Sequence, residues 1–493
     1  VTASHEIAPE HREYERISTT VVNAVLMPIV STYLTDLSDR IRTLGITSQL
    51  CVMQSSGGIA SKEIAVKQPV SIVESGPAAG VIASAYYAKQ LDLEEMISFD
   101  MGGTTAKAGA IRHGVPQVVT EYEVAGKIHS GRMVKGSGYP VRFPFIDLAE
   151  ASAGGGTIAW VDEGGALRVG PVSAGADPGP ACYGKGTDAT VTDANLLLGR
   201  LNPECLLGGR MRISAELSKR TIEERICGRT GLPLVEAASG VVRIVNSSMT
   251  KVLRIVSVER GYDPRQFTLI AFGGAGPMHA CAMAEELKIP KIVVPNNPGL
   301  FSALGLLTAD FTYGQIRALM RNITEVDSEE LESVFEDLQT KGSRVLESQN
   351  VRRENLVFLR QLDLRYSGQS YELTIPAPQR ILSDELRKIE DSFHHKHESV
   401  YGYSVREEPV ELVNARLVSI GVVTPPTMPQ QELTSKEPPS QALLGKREVY
   451  FEKYEGYERC PIYGREKLAP GNVIPGPSVI EQYDATTVIY PEW

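Results

Sequence analysis

Residues 98–111, SFDMGGTTAKAGAI, set one carboxylate, a Gly-Gly turn and two hydroxyl residues between apolar flanks. That is the composition of a β-hairpin built to hold a phosphate. Gly102 and Gly103 lack Cβ atoms, so the backbone can turn tightly and present N–H groups to an anion. Thr104 and Thr105 add hydroxyl donors, and Asp100 can hold Mg²⁺, or its water shell, beside the phosphates. An ordinary hairpin with a Gly-Gly turn would carry the same residues, and short glycine motifs also arise by chance. A second stretch raises the odds. Residues 268–287, TLIAFGGAGPMHACAMAEEL, place an apolar run, a glycine loop (Gly273, Gly274, Ala275, Gly276, Pro277) and a helix-forming segment in series. Strand, loop and helix N-terminus in that order direct free N–H groups and the positive end of a helix dipole at a bound anion or nucleotide. Close strand–helix packing would also call for small residues there. Two such loops, far apart in sequence, suit a nucleotide held between two lobes. His279 follows the second loop and is expected to face the cleft, where it would bind nucleotide or substrate, or cap the loop by hydrogen bonding.

The elements that must position these loops are legible in the pattern. Residues 13–43 read as a long helix with Pro28 as a kink. Residues 49–53 read as a strand, followed by a turn at 54–58. Ser75, Gly76 and Pro77 open a small-residue helix that leads into the Asp100 hairpin, and Ser75 is a candidate to line the cleft. Residues 152–190 are dense in glycine, yet Trp160, Leu167, Val169 and Tyr183 are anchors that a disordered linker lacks. A hairpin over 157–162 with its turn at 163–165, and a set of loops lining a cleft, fit this stretch. Asp177 and Asp193 fall in or just after it. Each could touch metal or substrate or cap a turn, and capping suits Asp193 in VTDANLLLGRL. Residues 214–229 and 234–260 read as helices. From about residue 312 the character changes to a charged helix (327–350), a strand (360–375), a helix with His394, His395 and His397 (383–401), a strand (410–422), a Pro-rich surface segment (425–441) and short terminal strands. The three histidines lack a carboxylate or Cys to complete a metal set, so a helix-surface cluster is expected.

At 493 residues the chain is too long for one core. A net charge of −10 argues against a general nucleic-acid surface. No apolar run is read as approaching the roughly 18–20 residues of a membrane span, and the first residues lack the basic and apolar regions of a signal peptide. The six cysteines are scattered with no CxxC spacing, which suggests reduced thiols and a cytoplasmic protein. Cys182, in DPGPACYG, is read as a small buried residue, although a reactive thiol is conceivable.

Several motifs together carry a resemblance: EHREYERISTTVVNA (10–24), MQSSGG, ESGPAAGV, FDMGGTT, SAGADPGPACYG, TVTDANLLLGRL, ERGYDPRQFTLIAFGGAGPMHA and YSGQSYEL, in this order. The chain resembles the A subunit of the ATP-dependent hydantoinase/5-oxoprolinase family, which also contains the β-type subunits of acetone and acetophenone carboxylases. The resemblance covers nearly the whole chain. It implies an α/β, actin/Hsp70/sugar-kinase-like ATPase fold, incomplete here, over residues 1–314, with a C-terminal α+β domain over 315–493. It implies ATP and Mg²⁺ as cofactors, a hydantoinase B-type partner subunit in a hetero-oligomer, and a small cyclic amide or ketone as substrate. The Asp100 hairpin would be the second phosphate loop, and residues 273–277 would lie against the nucleotide. Phosphorylation of the substrate oxygen would precede ring opening, or carboxylation in the ketone branch.

Three departures follow from the same comparison. The N-terminal phosphate hairpin and lobe typical of the family do not precede residues 10–24, and the chain also ends early, so a fragment or one piece of a split protein is expected. A truncated, non-catalytic scaffold is then the competing reading. Lys107 stands where many relatives have Asp. Ala149 stands where many have His, so a metal site built on that His does not carry over; Glu150 is a possible substitute.

Overall fold

The computed structural model describes residues 2–493 except Lys127, Ser130, Gly131, Val134, Lys135 and Cys205; of residues 128, 129, 132, 133 and 383 it describes the backbone alone. One of the six cysteines therefore lies outside the described residues.

The long helix forms as its sequence predicts, as α1 (Glu13–Thr43), with Pro28 inside it. A hairpin of β1 (Cys51–Met53) and β2 (Ile59–Ser61) closes through the turn in which Gln54 N–H donates to the Gly58 carbonyl, 2.7 Å. Next comes α2 (Ser75–Gln90), whose small residues let it pack closely, and then β3 (Glu95–Met101) and β4 (Ala106–Arg112). β5 (Val118–Val124) pairs with β6 (Tyr139–Ile146), and β7 (Leu148–Ala151) returns alongside β4. The glycine-dense stretch holds the expected hairpin, β8 (Thr157–Val161) and β9 (Leu167–Ser173), followed by the short α3 (Val191–Leu197). The amphipathic α4 (Leu234–Val256) precedes β10 (Thr268–Phe272), α5 (Gly276–Leu287) and β11 (Lys291–Val293).

The central sheet runs β7–β4–β3–β10–β11. β3, β10 and β11 are parallel, while β4 and β7 run antiparallel to their neighbours. All five residues of β10 are buried, which explains why its sequence is a continuous apolar run. α4 supplies one cover: Val241, Val245, Met249, Val252 and Leu253 pack with Ile97, Phe99 and Leu269 in one core. On the other face Val81 and Ala78 of α2 join Met96, Ile270 and Phe272. Truncating Leu269 to Ala between these layers would cost about 2–5 kcal/mol.

A second sheet is assembled from β12 (Phe311–Asn322), β13 (Leu356–Tyr366), β14 (Leu373–Ala377) and β15 (Val410–Gly421), backed by α6 (Ser328–Glu347) and α7 (Ser383–Tyr401). The β1–β2 hairpin is its edge, giving the order β1–β2–β12–β15–β13–β14. A buried ionic chain also ties the N-terminal segment to the second sheet. Glu10 accepts from Arg142, 2.8 Å, and from Arg416, 3.2 Å, and Arg416 continues to Asp363. The last strands, β16 (Leu443–Phe451), β17 (Gly456–Gly464), β18 (Ser478–Glu481) and β19 (Thr486–Ile489), form their own sheet. Val449, Phe451 and Val488 from it share a core with Leu196 of α3 and Met278 of α5.

Two expectations need correction here. His394 and His397 are buried, not on a helix surface. Tyr366 Oη lies 2.7 Å from His394 Nδ1, and His397 sits among Tyr366, Phe393, Tyr401 and Tyr403, with Nδ1 2.8 Å from the Tyr403 carbonyl. No cluster of three or more His, Cys, Asp or Glu side chains that could hold a metal ion occurs among the described residues. Second, α1 is long and apolar enough to cross a membrane by length and composition, contrary to the reading of the apolar runs. Yet it lies on the protein with a mostly polar side down: Thr19, Asn23, Leu34 and Ser38 are buried, while Ile17, Val21, Val25 and Ile29 are exposed.

Candidate functional site

Strand pairing builds the site in one row. Parallel pairing sets Phe272 beside Asp100, and antiparallel pairing sets Lys107 beside Asp100 and Glu150 beside Lys107. The Gly102–Thr105 turn and the Gly273–Pro277 loop therefore leave the carboxyl ends of adjacent parallel strands, the position where α/β sheets gather ligands. The loops touch. Ala275 N–H donates to the Met101 carbonyl, 3.0 Å, and Gly273 N–H to the Pro298 carbonyl, 2.9 Å. Gly273 has φ +77°, and a Cβ there would collide with Asp100 Oδ1 and the Met101 carbonyl. Only glycine permits this approach of one loop to the carboxylate of the other.

The turn is open. Gly102 N–H closes it onto the Thr105 carbonyl, 3.1 Å, and a Cβ on Gly102 or Gly103 would meet nothing within 4 Å. Among the described residues, no protein acceptor takes the Gly103, Thr104 or Thr105 N–H, and no donor engages the Asp100 carboxylate. Unpaired donors around an unpaired carboxylate suit a phosphate together with a cation held partly by water.

Electrostatics accounts for Lys107. Its Nζ lies 2.6 Å from Glu74 Oε2 and 3.3 Å from Glu150 Oε2. Burial opposes its charge, but the two carboxylates outweigh it and raise its pKa. Burial raises the Asp100 pKa, and Lys107 acts against the rise. Glu150 is thus the partner of Lys107, while Asp147 pairs with Arg260, 2.7 Å. Lys107→Met would leave Glu74 and Glu150 facing each other. These side chains are partly solvated, so the expected loss is about 1–2 kcal/mol by thermal or denaturant melts, and Glu150→Gln in the same chain should restore part of it.

The glycine-dense stretch forms the floor of the turn. Gly155 N–H donates to the Gly102 carbonyl, 3.1 Å, and Gly156 N–H to the Gly103 carbonyl, 2.7 Å. A Cβ on Gly154 would stand 2.5 Å from the Gly103 carbonyl carbon and the Thr104 nitrogen. Thr192 N–H, in the first turn of α3, takes the Gly155 carbonyl, 2.8 Å. Asp193 is a capping residue: it shares a capping box with Thr190 and also accepts from the Ala181 and Cys182 N–H groups and Ser218 Oγ. Cys182 is buried beside it, and burial pushes its thiol pKa up, so it is not a thiolate nucleophile.

The remaining candidates separate. Ser75 is the first residue of α2, next to Glu74, which holds Lys107. Asp177 is exposed and pairs with Lys185, 3.3 Å. His279 does not face a cleft. It is fully buried, with Nδ1 2.6 Å from Asn246 Oδ1 and Nε2 3.3 Å from Asn195 Nδ2. The neutral ring donates to Asn246 and accepts from Asn195, because α4 and α3 cross this side of α5. Burial, helped by Arg200, lowers its pKa to about 3. Its contribution to stability is complete above the ordinary imidazole pKa of 6.5 and is lost as pH falls toward 3. Between pH 7 and pH 5 this group should remove about 2 kcal/mol, a loss that His279→Gln would abolish in denaturant melts at the two pH values.

A wall of the site escaped the sequence pattern. Gly274 borders a groove with Leu206, Leu207, Tyr483 and Asp484, and Asp484 Oδ2 accepts from Gly299 N–H, 2.8 Å. Nothing local in residues 481–486 marks them, because they reach the loop only through the terminal sheet.

The fold, with glycine loops paired at the ends of parallel strands, is of the α/β ATPase class. Two family models match the chain: hydantoinase/oxoprolinase over residues 16–315, and the hydantoinase/oxoprolinase C-terminal domain over 320–493. The chain belongs to the hydantoinase/oxoprolinase family. It is 51% identical to an uncharacterized protein of Methanocaldococcus jannaschii, and 34% identical to the caprolactamase subunit alpha of Pseudomonas jessenii; each alignment covers 100% of this chain and 70% of the relative. The acetophenone carboxylase gamma subunit of Aromatoleum aromaticum is 32% identical, over 100% of this chain and 66% of that subunit. The crystal structure of the ATP-dependent caprolactamase from Pseudomonas jessenii superposes with a TM-score of 0.86 at 33% identity, covering 100% of this chain and 70% of that one.

Proposed function

We propose that the chain is a subunit, or part of one, of an ATP-dependent cyclic-amide hydrolase that activates a lactam or imide carbonyl by phosphorylation before ring opening. The observation that carries this reading is the contact of the Asp100 turn with the 273–277 loop at the ends of parallel strands. The caprolactamase likeness supports a cyclic amide as substrate, and its ATP dependence supports ATP as phosphoryl donor. The carboxylase relative keeps one alternative: a subunit that activates a ketone oxygen in the same way.

A lactam carbonyl is a weak electrophile. Transfer of the γ-phosphoryl group to its oxygen releases ADP and leaves a carbon that water can attack; the ring C–N bond then breaks with a proton passing to nitrogen, leaving an acyl phosphate that a second water hydrolyses to carboxylate and phosphate. Little covalent chemistry falls to the protein, so positioning and electrostatics dominate. Gly102, Gly103, Thr104 and Thr105 would hold phosphate oxygens, Gly273–Pro277 would lie against the nucleotide, and Asp100 would hold Mg²⁺. The ion would neutralise charge on the phosphates. The open turn and the unpaired Asp100 carboxylate fit that ion. Residues 1–314 would form the nucleotide-handling part and 315–493 the second domain, a division close to the family-model bounds. Relatives named as alpha and gamma subunits support a hetero-oligomer, for which we propose a B-type partner. The five cysteines among the described residues are free and scattered, which supports a cytoplasmic setting.

The test is ATP hydrolysis by the chain assembled with its partner polypeptides, across a panel of lactams, hydantoins and ketones. Stimulation by a cyclic amide without bicarbonate is expected. Turnover that requires a ketone and bicarbonate would select the carboxylase alternative, and absence of any ATP turnover would select the scaffold reading.

A further inference from the structure

Between α4, α5 and the terminal sheet lies a cavity of about 280 Å³, bordered by Arg200, Asn246, Glu285, Glu286, Glu452 and Tyr490. It meets α5 at residues 282–286, about 9–15 Å along the helix from its start at Gly276, so it is separate from the Asp100 turn. Arg200 forms the floor and is 3% exposed. One Nη donates to Asn195 Oδ1, 3.3 Å, and the other to Tyr490 Oη, 3.2 Å, while its Nε–H has no acceptor. Asn195 passes the chain of contacts to His279 Nε2, 3.3 Å, and His279 Nδ1 passes it to Asn246, 2.6 Å, back on the cavity wall. No carboxylate pairs with Arg200 among the described residues. Its neighbours do not compensate it either. Burial lowers the His279 pKa to about 3, raises that of Cys281 to about 11 and raises that of Tyr490, so all three are neutral. A buried guanidinium without an anion is a cost to the fold that a bound anion would relieve, and its planar fork matches a carboxylate.

The rim has the opposite sign. Glu285, Glu286 and Glu452 are exposed, and each accepts from a neutral donor: Trp493 Nε1, 3.0 Å, Thr250 Oγ1, 3.0 Å, and Ser239 Oγ, 2.7 Å. None of the three is in an ion pair among the described residues. Of the two cations beside them, Lys453 is taken by Glu492, 2.7 Å, which leaves Arg243.

We infer that this cavity is a binding site for a small amino acid, with the ligand's carboxylate toward Arg200 and its ammonium at the glutamate rim. A buried cation beneath an acidic rim suits a molecule that carries both charges. A plain carboxylate would be repelled by the rim, and a plain amine by Arg200. The volume is at the lower end for ligand pockets, which suits an amino acid better than a nucleotide. The ligand class follows from the charges of the cavity and stands apart from the activity proposed above, although ring opening of a cyclic amide yields a member of the same class.

The test is calorimetric titration of the chain with γ-aminobutyrate, ε-aminocaproate and L-glutamate, against caproate and hexylamine as molecules with one charge. At least one of the amino acids should bind, one per chain, about 10-fold or more tightly than either single-charge molecule, the effect of one matched charge. The double variant Glu285→Gln, Glu286→Gln should weaken the amino acid about 10-fold and caproate not at all. Both side chains are exposed, so its melting temperature should stay that of the wild type. Arg200→Lys keeps the charge and loses the fork, and should weaken the amino acid and caproate alike. Should that variant not fold, the rim variant still decides the matter. The titrations contain no nucleotide, so their outcome is independent of ATP turnover. No binding of any of the three amino acids, caproate binding as tightly as they do, or an affinity unmoved by the rim substitutions would overturn the inference.

Discussion

Asp100→Asn lowers ATP turnover by about 10²–10³-fold and leaves the fold at least as stable as before. The two halves of this prediction come from the same environment. Burial raises the Asp100 pKa, so its negative charge is a cost to the folded state that Asn removes. No donor among the described residues satisfies that carboxylate, so Asn breaks no hydrogen bond or ion pair. What Asn removes is the charge facing the open turn, and with it the proposed hold on Mg²⁺. Losing one preorganised electrostatic group at a phosphoryl-transfer site costs about 10²–10³ in rate. The raised pKa adds a pH signature. Protons compete with the cation for Asp100, so Mg²⁺-dependent nucleotide binding should weaken on acidification earlier than an ordinary aspartate would allow, and this sensitivity should vanish in the Asn variant. Unchanged turnover would remove Asp100 from the site.

Gly154→Ala should lower activity about 100-fold although residue 154 holds no part of the substrate. Its Cβ would lie 2.5–2.6 Å from the carbonyl carbon and oxygen of Gly103 and the nitrogen of Thr104. These are backbone atoms, which cannot rotate aside, so the turn itself must shift. Overpacking of this kind costs about 1–3 kcal/mol, and a displacement of about 1 Å at reacting groups costs on the order of 10² in rate. Gly314→Ala is the control: a Cβ there meets nothing within 4 Å. Kinetics and melting curves of both variants check the point. Equal effects of the two changes would show that the 154–156 segment does not position the turn.

Local signals were read well. The glycine loops, the helix from Glu13 to Thr43, the buried strand Thr268–Phe272 and the capping role of Asp193 each follow from residues close in sequence. Properties created by distant contacts were not. Lys107 is anomalous in its local sequence, and its partners are Glu74, 33 positions earlier, and Glu150 on the neighbouring strand. His279 looked exposed because it follows a glycine loop, whereas crossing helices enclose it. Gly154, Gly155 and Gly156 read as cleft loops, but their specific duty against Gly103 depends on tertiary contact. The face of α1 was hidden for a further reason. Apolar residues spaced by three and four predict a packed stripe, yet here a mostly polar side is buried and the stripe is left outward.

The phosphate-binding role of the paired loops is tested most directly by calorimetric titration of a non-hydrolysable ATP analogue into the chain assembled with its partner polypeptides. Wild type should bind one nucleotide per chain with Mg²⁺ present, and Asp100→Asn should lose the Mg²⁺-dependent part of that affinity. Binding that is absent in wild type, or equal in the two proteins at every Mg²⁺ concentration, would contradict a nucleotide site at the Asp100 turn.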